Sequence, residues 1–409
     1  ARAGDTTAAP LLADLLGLDG TARYGKIELT PQAQRTRTLR ALIDQIIGLA
    51  RQQPVLLVLE DAHWIDPTTL ELVEQALDRG ATAPVLLLLT SRPENQPTLA
   101  GHPHVTRLTL NRLGRTGVEA IVERLSSGTV LPVEVIDTII ARTDGVPLFV
   151  EELTKAVIES GDASVPASLH DSLMARLDRL PEVKEVAQMG AVIGREFEHA
   201  ALTAIADRSP DALDGTLDRL AAAELVFRRG TPPEAHYTFK HALVRDAAYH
   251  SLLNERRRGL HRRLADYLER ADPVEPALLA QHREGANQQA EALRWYRDAG
   301  TSAFERSANA EAMGHFRAAL RVLAGVPDLP DARTQELDLL LALGRATTAA
   351  KSYAAEEADD AYRRARSLCD STTDAGQQLQ LLVGEFLLHA NRGRHREAAQ
   401  VADAMLALG

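Results

Sequence analysis

The stretch Pro54-Val55-Leu56-Leu57-Val58-Leu59-Glu60-Asp61-Ala62-His63-Trp64 constrains the chain more than any other. An unbroken aliphatic run of this length, with β-branched members, suits a strand buried on both faces of a parallel sheet. Two carboxylates follow at its C-terminal end, where open α/β sheets place their ligands. Adjacent acids at such a point can hold a magnesium ion through its water shell and orient an attacking water. The plainer alternative is a buried strand whose acids only cap the next loop.

The flanking pattern is that of an α/β layer. Thr30 as N-cap and Pro31 in the first turn predict a helix up to Arg51, with Leu39, Leu42, Ile43, Ile46, Ile47 and Leu49 at helical spacing. Asp66 and Pro67 start a second helix, which carries Leu70, Leu72, Val73 and Leu77 and ends near Gly80. The apolar run Pro84–Leu89 predicts a second strand, closing on Thr90-Ser91-Arg92-Pro93. Strand, helix and strand make a βαβ unit, and parallel neighbours end at the same sheet edge. Arg92 is therefore expected near Glu60 and Asp61, either sensing a terminal phosphate or forming an ion pair with one acid. Residues 104–113 alternate like a half-buried strand (Val105, Leu108, Leu110, Leu113), and helices are predicted over 115–126, 132–143 and 147–159. Between the last two, Gly145 suits a C-cap and Pro147 a first helical turn.

One motif is read as a decoy. Gly20-Thr21-Ala22-Arg23-Tyr24-Gly25-Lys26 satisfies G-x-x-x-x-G-K, but Ile27 stands where magnesium binding needs a hydroxyl. No strand pattern precedes Gly20, and Pro31 interrupts a helix that would begin at Lys26.

The second half reads as helical. After a polar linker, Ser160–Pro166, helices are predicted around Leu169, Leu173, Leu177 and Leu180, over Val183–Ile193, and over 198–207 and 211–224. Two short strands over 225–230 and 236–240, around a Gly/Pro turn, predict a hairpin, and helices followed by a hairpin make a winged helix. Arg256, Arg257, Arg258, Arg262 and Arg263 form a basic cluster able to contact phosphates, but Glu255, Asp266 and Glu269 interrupt it. With a net charge of −11 as well, no direct nucleic-acid binding is expected. From Pro276 onward the chain is Ala-rich. Tyr296, Gly300, Ala312, Phe316 and Ala319 fall at tetratricopeptide spacing, and Leu340, Leu343, Gly344, Ala358, Tyr362 and Ala365 repeat them. A third unit spans Leu382–Leu408 with Ala398 and Ala402. The alternative is a generic helical bundle. Either surface is a platform for a protein or peptide partner.

Composition excludes several classes. The single cysteine, Cys369, rules out a disulfide framework and a Cys-based zinc site, which places the chain in a reducing cytoplasm. No apolar run approaches the ~18 residues of a membrane span, and the N-terminus lacks a signal-peptide pattern, so no membrane partner is expected. His102, His104 and His261 lack partners at ligand spacing. The chain starts at Ala1 rather than Met and ends within a helical pattern, and it is read as a piece of a longer polypeptide.

Three motifs occur in a set order: Leu59-Glu60-Asp61-Ala62-His63-Trp64-Ile65-Asp66-Pro67, Leu89-Thr90-Ser91-Arg92-Pro93, and Gly145-Val146-Pro147-Leu148-Phe149-Val150-Glu151-Glu152-Leu153. Together they resemble the signal-transduction ATPases with numerous domains (the STAND class). The branch they resemble is attached to bacterial class III adenylate/guanylate cyclases and LuxR-type regulators. The resemblance implies a mainly α protein with an α/β part: a partial P-loop NTPase sheet, a helical lid, a winged helix and an α-solenoid of tetratricopeptide-like pairs. Their expected bounds are 1–113, 114–163, 164–272 and 273–409. It further implies Glu60 as the magnesium-associated acid of a Walker B motif, Asp61 as the water-orienting acid and Arg92 as the sensor. Gly145 and Pro147 would belong to the adenine-side G-x-P motif. The implied ligands are ATP and Mg²⁺ in the intact parent, with self-association possible. The family's phosphate loop is absent from these residues. The competing expectations are a non-hydrolysing interaction scaffold with a vestigial nucleotide fold, and part of a LuxR-type transcription regulator whose DNA reader lies outside these residues.

Overall fold

Two helices begin where a capping side chain precedes proline. The computed structural model describes residues 8–16, 18, 21–92, 99, 102–126, 131–160, 173–174, 177–178, 181–326, 328–352, 355–370 and 373–408. After α1 (Ala8–Leu15) and the single turn α2 (Thr21–Tyr24), Thr30 opens α3 (Pro31–Ala50), its Oγ1 accepting the Ala33 N–H at 3.3 Å. Proline fits the first turn because its missing N–H has no partner there. Asp66 opens α4 (Pro67–Gly80) in the same way, its Oδ1 accepting the Thr69 N–H at 2.8 Å. The predicted starts of both helices agree with these caps.

The two aliphatic runs form strands β1 (Val55–Leu59) and β2 (Val85–Leu89), parallel and in register from Val55↔Val85 to Leu59↔Leu89. Helix α3 packs on β1 and α4. Val55, Leu57, Leu59, Val85, Leu87 and Leu89 are half-buried, whereas Leu56, Val58, Leu86 and Leu88 on the opposite face are 60, 50, 64 and 48% exposed. The strand expected over 104–113 does not form: these residues are irregular, and Leu108 and Leu110 are almost wholly exposed. Alternation is not enough without a hydrogen-bonding neighbour, and among the described residues the parallel sheet contains only β1 and β2.

The chain divides into two units, one of residues 1–106, 276–280 and 289–409, the other of 107–275 and 281–288. In the second, α5 (Arg115–Ser126), α6 (Val133–Thr143) and α7 (Pro147–Ser160) surround Val118, Val122, Ile139, Val150 and Val157, close to the predicted bounds. The linker after Ser160 and most of the helix expected around Leu169–Leu180 lie outside the described residues; Leu173 and Leu177 are buried. There follow α8 (Pro181–Ile193), β3 (Glu196–Glu198), α9 (His199–Ile205), α10 (Pro210–Ala222), β4 (Val226–Arg229), β5 (His236–Phe239), α11 (Ala242–His250) and α12 (Asn254–Leu268). The predicted hairpin is present as β4 and β5, with Val226 opposite Phe239, and β3 adds a third antiparallel strand on the other side of β5. Phe197 stacks on Tyr237 at 5.4 Å and tilts against Phe239 at 5.5 Å. A Cβ on Gly190 of α8 would stand 2.8 Å from the Phe197 ring, so glycine is what lets this helix seat on the sheet.

After α13 (Pro276–Gly285), helices pair as α14 (Gln289–Glu305) with α15 (Asn309–Ala324), α16 (Ala332–Ala350) with α17 (Glu356–Leu368), and α18 (Ala375–Asn391) with α19 (His395–Leu408). The spacing read from sequence has a direct cause. The Phe316 ring occupies the space a side chain on Gly300 would need, and Tyr362 does the same at Gly344. Tyr362 also fills the place of a side chain at Gly384, tying the third pair to the second. Among the described residues no helix is long and apolar enough to cross a membrane, and no group of three His, Cys, Asp or Glu side chains is placed to hold a metal.

Candidate functional site

Equal strand lengths and parallel register bring the ends of β1 and β2 side by side. The ladder continues one residue beyond the strands, with Thr90 N–H donating to Leu59 O at 3.0 Å. The chain then turns sharply, because Asp61 adopts the left-handed conformation (φ 53°) that aspartate tolerates better than most residues. Thr90 fixes this turn twice: its Oγ1 accepts the Asp61 N–H at 3.0 Å and its carbonyl accepts the Ala62 N–H at 2.7 Å. A 3₁₀ turn, Ala62–Trp64, leads from there to the Asp66 cap. The sequence reading placed Thr90 in a motif but gave it no role. Strand register was the available signal, since Leu89 opposite Leu59 sets Thr90 opposite Glu60.

Glu60 is exposed and Asp61 half-buried at this edge, and Arg92 is exposed two residues past Thr90. The three predicted residues thus leave the same edge of the sheet. The cap below them is electrostatically firm. Burial pushes the Asp66 carboxyl up, but the hydroxyl and N–H of Thr69 outweigh it and hold the group below the usual carboxylate range. From α3, Arg35 pairs with Glu71 of α4 and reaches Thr68 Oγ1 at 3.4 Å, joining the two helices.

Gly145 and Pro147 belong to the second unit. Asp144 caps α6 in the left-handed region (φ 48°), its N–H donating to Ile140 O at 3.1 Å, and pairs with Arg112. Gly145 is buried at φ 70°, where a Cβ would stand 2.2 Å from the Leu113 carbonyl oxygen; its own carbonyl accepts the Leu113 N–H at 2.8 Å. Glycine is required here by the backbone itself. Pro147, by contrast, is exposed at the first turn of α7.

One and two turns further along α7, Glu151 and Lys155 enter a four-membered charge network with Glu224 and Lys240. Lys155 Nζ donates to Glu151 at 2.9 Å and Glu224 at 2.8 Å, and Lys240 Nζ lies 3.1 Å from Glu224 and 3.5 Å from Glu151. Hydrogen bonds from Lys155 and then Lys240 hold the Glu224 carboxyl down at about 2. Burial works against the Lys155 ammonium, but the two carboxylates prevail and raise its pKa. Helix α7 is thereby clamped to the turn after α10 and to the residue after β5.

The basic cluster of α12 is mostly engaged within the protein. Arg256 lies 3.2 Å from Glu185, Arg263 2.7 Å from Asp207, and Arg257 sits over the Tyr249 ring. Helix α10, which precedes the hairpin, carries Asp211, Asp214 and Asp218; Asp214 faces His199 at 2.7 Å and Asp218 pairs with Arg228.

No family model matches the chain. It is 28% identical to an uncharacterized protein of Rhizobium meliloti (strain 1021), over 96% of this chain and 44% of that protein. The chain thus spans less than half the length of the curated relative it matches. A solved structure of a signal transduction ATPase with numerous domains, carrying a tetratricopeptide repeat sensor, from Pyrococcus horikoshii, aligns over 91% of this chain and 58% of its own, with a TM-score of 0.45 and 14% identity.

Proposed function

We propose that this chain carries the Walker B half of an ATP-dependent regulatory switch of the STAND kind, whose phosphate-binding half lies in a parent polypeptide. The observation that carries the reading is the β1–β2 pair. A parallel sheet is ordinarily covered on both faces, yet Leu56, Val58, Leu86 and Leu88 form an exposed apolar face directly behind two acids. An incomplete nucleotide-binding sheet accounts for both features. The helix–strand–helix–helix–hairpin order of α8 to β5 supports the winged-helix reading, and the glycine–aromatic contacts of α14 to α18 support tetratricopeptide-like pairs. The acids of α10 argue against DNA reading by that domain, since they would face phosphates.

The donor set suits hydrated magnesium: Glu60, exposed, and Asp61, half-buried, are adjacent carboxylates on a backbone turn that Thr90 holds. Among the described residues no phosphate cradle accompanies them; Lys26 of the G-x-x-x-x-G-K segment follows the short α2 and leads into irregular residues before α3. With ATP·Mg²⁺ in place, Glu60 would engage the metal's water shell, Asp61 would orient the attacking water and Arg92 would contact the terminal phosphate. Pro147 would lie on the adenine side, and the Lys155–Glu224–Lys240 network would carry movement of α7 into the winged helix. Repeats bound to a protein or peptide partner would bias this switch and with it a cyclase or transcriptional output.

The test is nucleotide turnover by a parent chain that includes a phosphate loop. Asp61→Asn is expected to lower turnover about 100-fold or more while Mg·ATP still binds. The second reading, a scaffold with a vestigial nucleotide fold, draws on the missing cradle, and it prevails if Asp61→Asn leaves both turnover and signalling unchanged.

A further inference from the structure

Helix α4 begins six residues after Asp61, and a side chain from the repeats holds its first turn. Pro67 has no N–H and Asp66 takes that of Thr69, so the Thr68 N–H is a donor the local cap leaves over. Glu311, in the first turn of α15, accepts it at Oε1 (3.1 Å), and the same oxygen accepts the Thr68 hydroxyl. A carboxylate at a helix N-terminus gains from the helix dipole and from charge-assisted hydrogen bonding. Arg35 completes the arrangement from α3, reaching Thr68 Oγ1 and pairing with Glu71. The contact joins residues 243 apart in sequence. It is also separate from the packing of the repeats, whose core takes Ala312, Met313 and Phe316 from α15.

We infer that Glu311 is a latch that fastens the repeats to the helix following the acid pair. A rearrangement of the repeats on binding a partner is then passed to the Asp61 turn through the first turn of α4. The significance of the latch rests on the proposed role of Glu60 and Asp61; the contact itself is measurable without nucleotide.

Hydrogen exchange on the 409-residue chain, read by mass spectrometry in the absence of nucleotide, compares the wild type with Glu311→Ala, Glu311→Gln and Arg317→Ala. Arg317 lies on the same helix but pairs with Glu357, so it controls for general loosening of α15. Glu311→Ala is expected to speed exchange about tenfold across both Thr68–Leu70 and Asp61–Trp64. Glu311→Gln keeps an acceptor and should give a smaller change at the same amides, and Arg317→Ala should give none. Faster exchange confined to Thr68–Leu70 would reduce Glu311 to a local cap and overturn the transmission. Unchanged exchange in both segments would overturn the contact. Failure of the ATPase reading would show separately, as absence of Mg·ATP binding by the parent chain, and would leave these rates as they are.

Discussion

Among the described residues there are two sheets, one covered by helices and one with an exposed apolar face. The antiparallel sheet β3-β5-β4 buries Phe197, Tyr237 and Phe239 almost wholly against α8 and its neighbours. The parallel pair β1-β2 is richer in aliphatic residues, yet it leaves Leu56, Val58, Leu86 and Leu88 about half exposed or more. Hydrophobic content is therefore not what distinguishes them. An antiparallel hairpin with one good face is finished by helices on one side, whereas a parallel pair needs cover on both. The sheet with the exposed apolar face is also the one with adjacent acids at its edge.

Substitutions should separate the two sheets. The largest effect is expected in the finished one: Phe239→Ala, at a residue 1% exposed, should destabilise the second unit by about 3–5 kcal/mol, read as a lower urea midpoint.

Acid should come next. His261 and His282 touch Nδ1 to Nδ1 at 2.9 Å, and Tyr249 OH meets His261 Nε2 at 3.0 Å. Burial, with Arg257 adding to it at His261 and His261 at His282, holds both imidazoles down at about 4, against 6.5 when unfolded. The unfolded chain binds more protons between these values, so stability is complete above about pH 6.5 and falls as pH drops toward 4. The loss should reach about 2 kcal/mol for one imidazole by pH 5. Urea midpoints measured between pH 7 and 5 check this, and His282→Leu should flatten the slope.

The smallest effect belongs to the parallel pair. Leu86→Lys on its exposed face should change stability by no more than about 0.5 kcal/mol while lowering binding of an apolar dye. A large loss of stability there would mean that the face is already covered in solution, and the contrast between the sheets would collapse.

Much of the fold was legible where local chemistry decides it. Thr30-Pro31 and Asp66-Pro67 announce helices whose caps form as read, and the aliphatic runs announce β1 and β2. Paired glycines and aromatics, Gly300 with Phe316 and Gly344 with Tyr362, announce helix pairs because a ring and a missing Cβ must coincide. Legibility ended where partners are distant. Strand β3 is only Glu196-Phe197-Glu198 and exists because β5 offers it an edge, while the alternating 104–113 finds no such edge among the described residues and stays irregular. At the candidate site the residue types were readable, but their positioning was not. The turn at Asp61 is held by Thr90 across the sheet, and the Thr68 N–H in the first turn of α4 is taken by Glu311, which no local pattern connects to it.

The most direct measurement is Mg·ATP binding, by calorimetry, to the 409-residue chain and to the same chain extended through the upstream sequence of its parent. The account predicts no binding by the former and binding by the latter, weakened by Arg92→Ala. An extended chain that contains no phosphate loop, or one that contains it and does not bind, would contradict the account and leave β1 and β2 as part of an interaction scaffold.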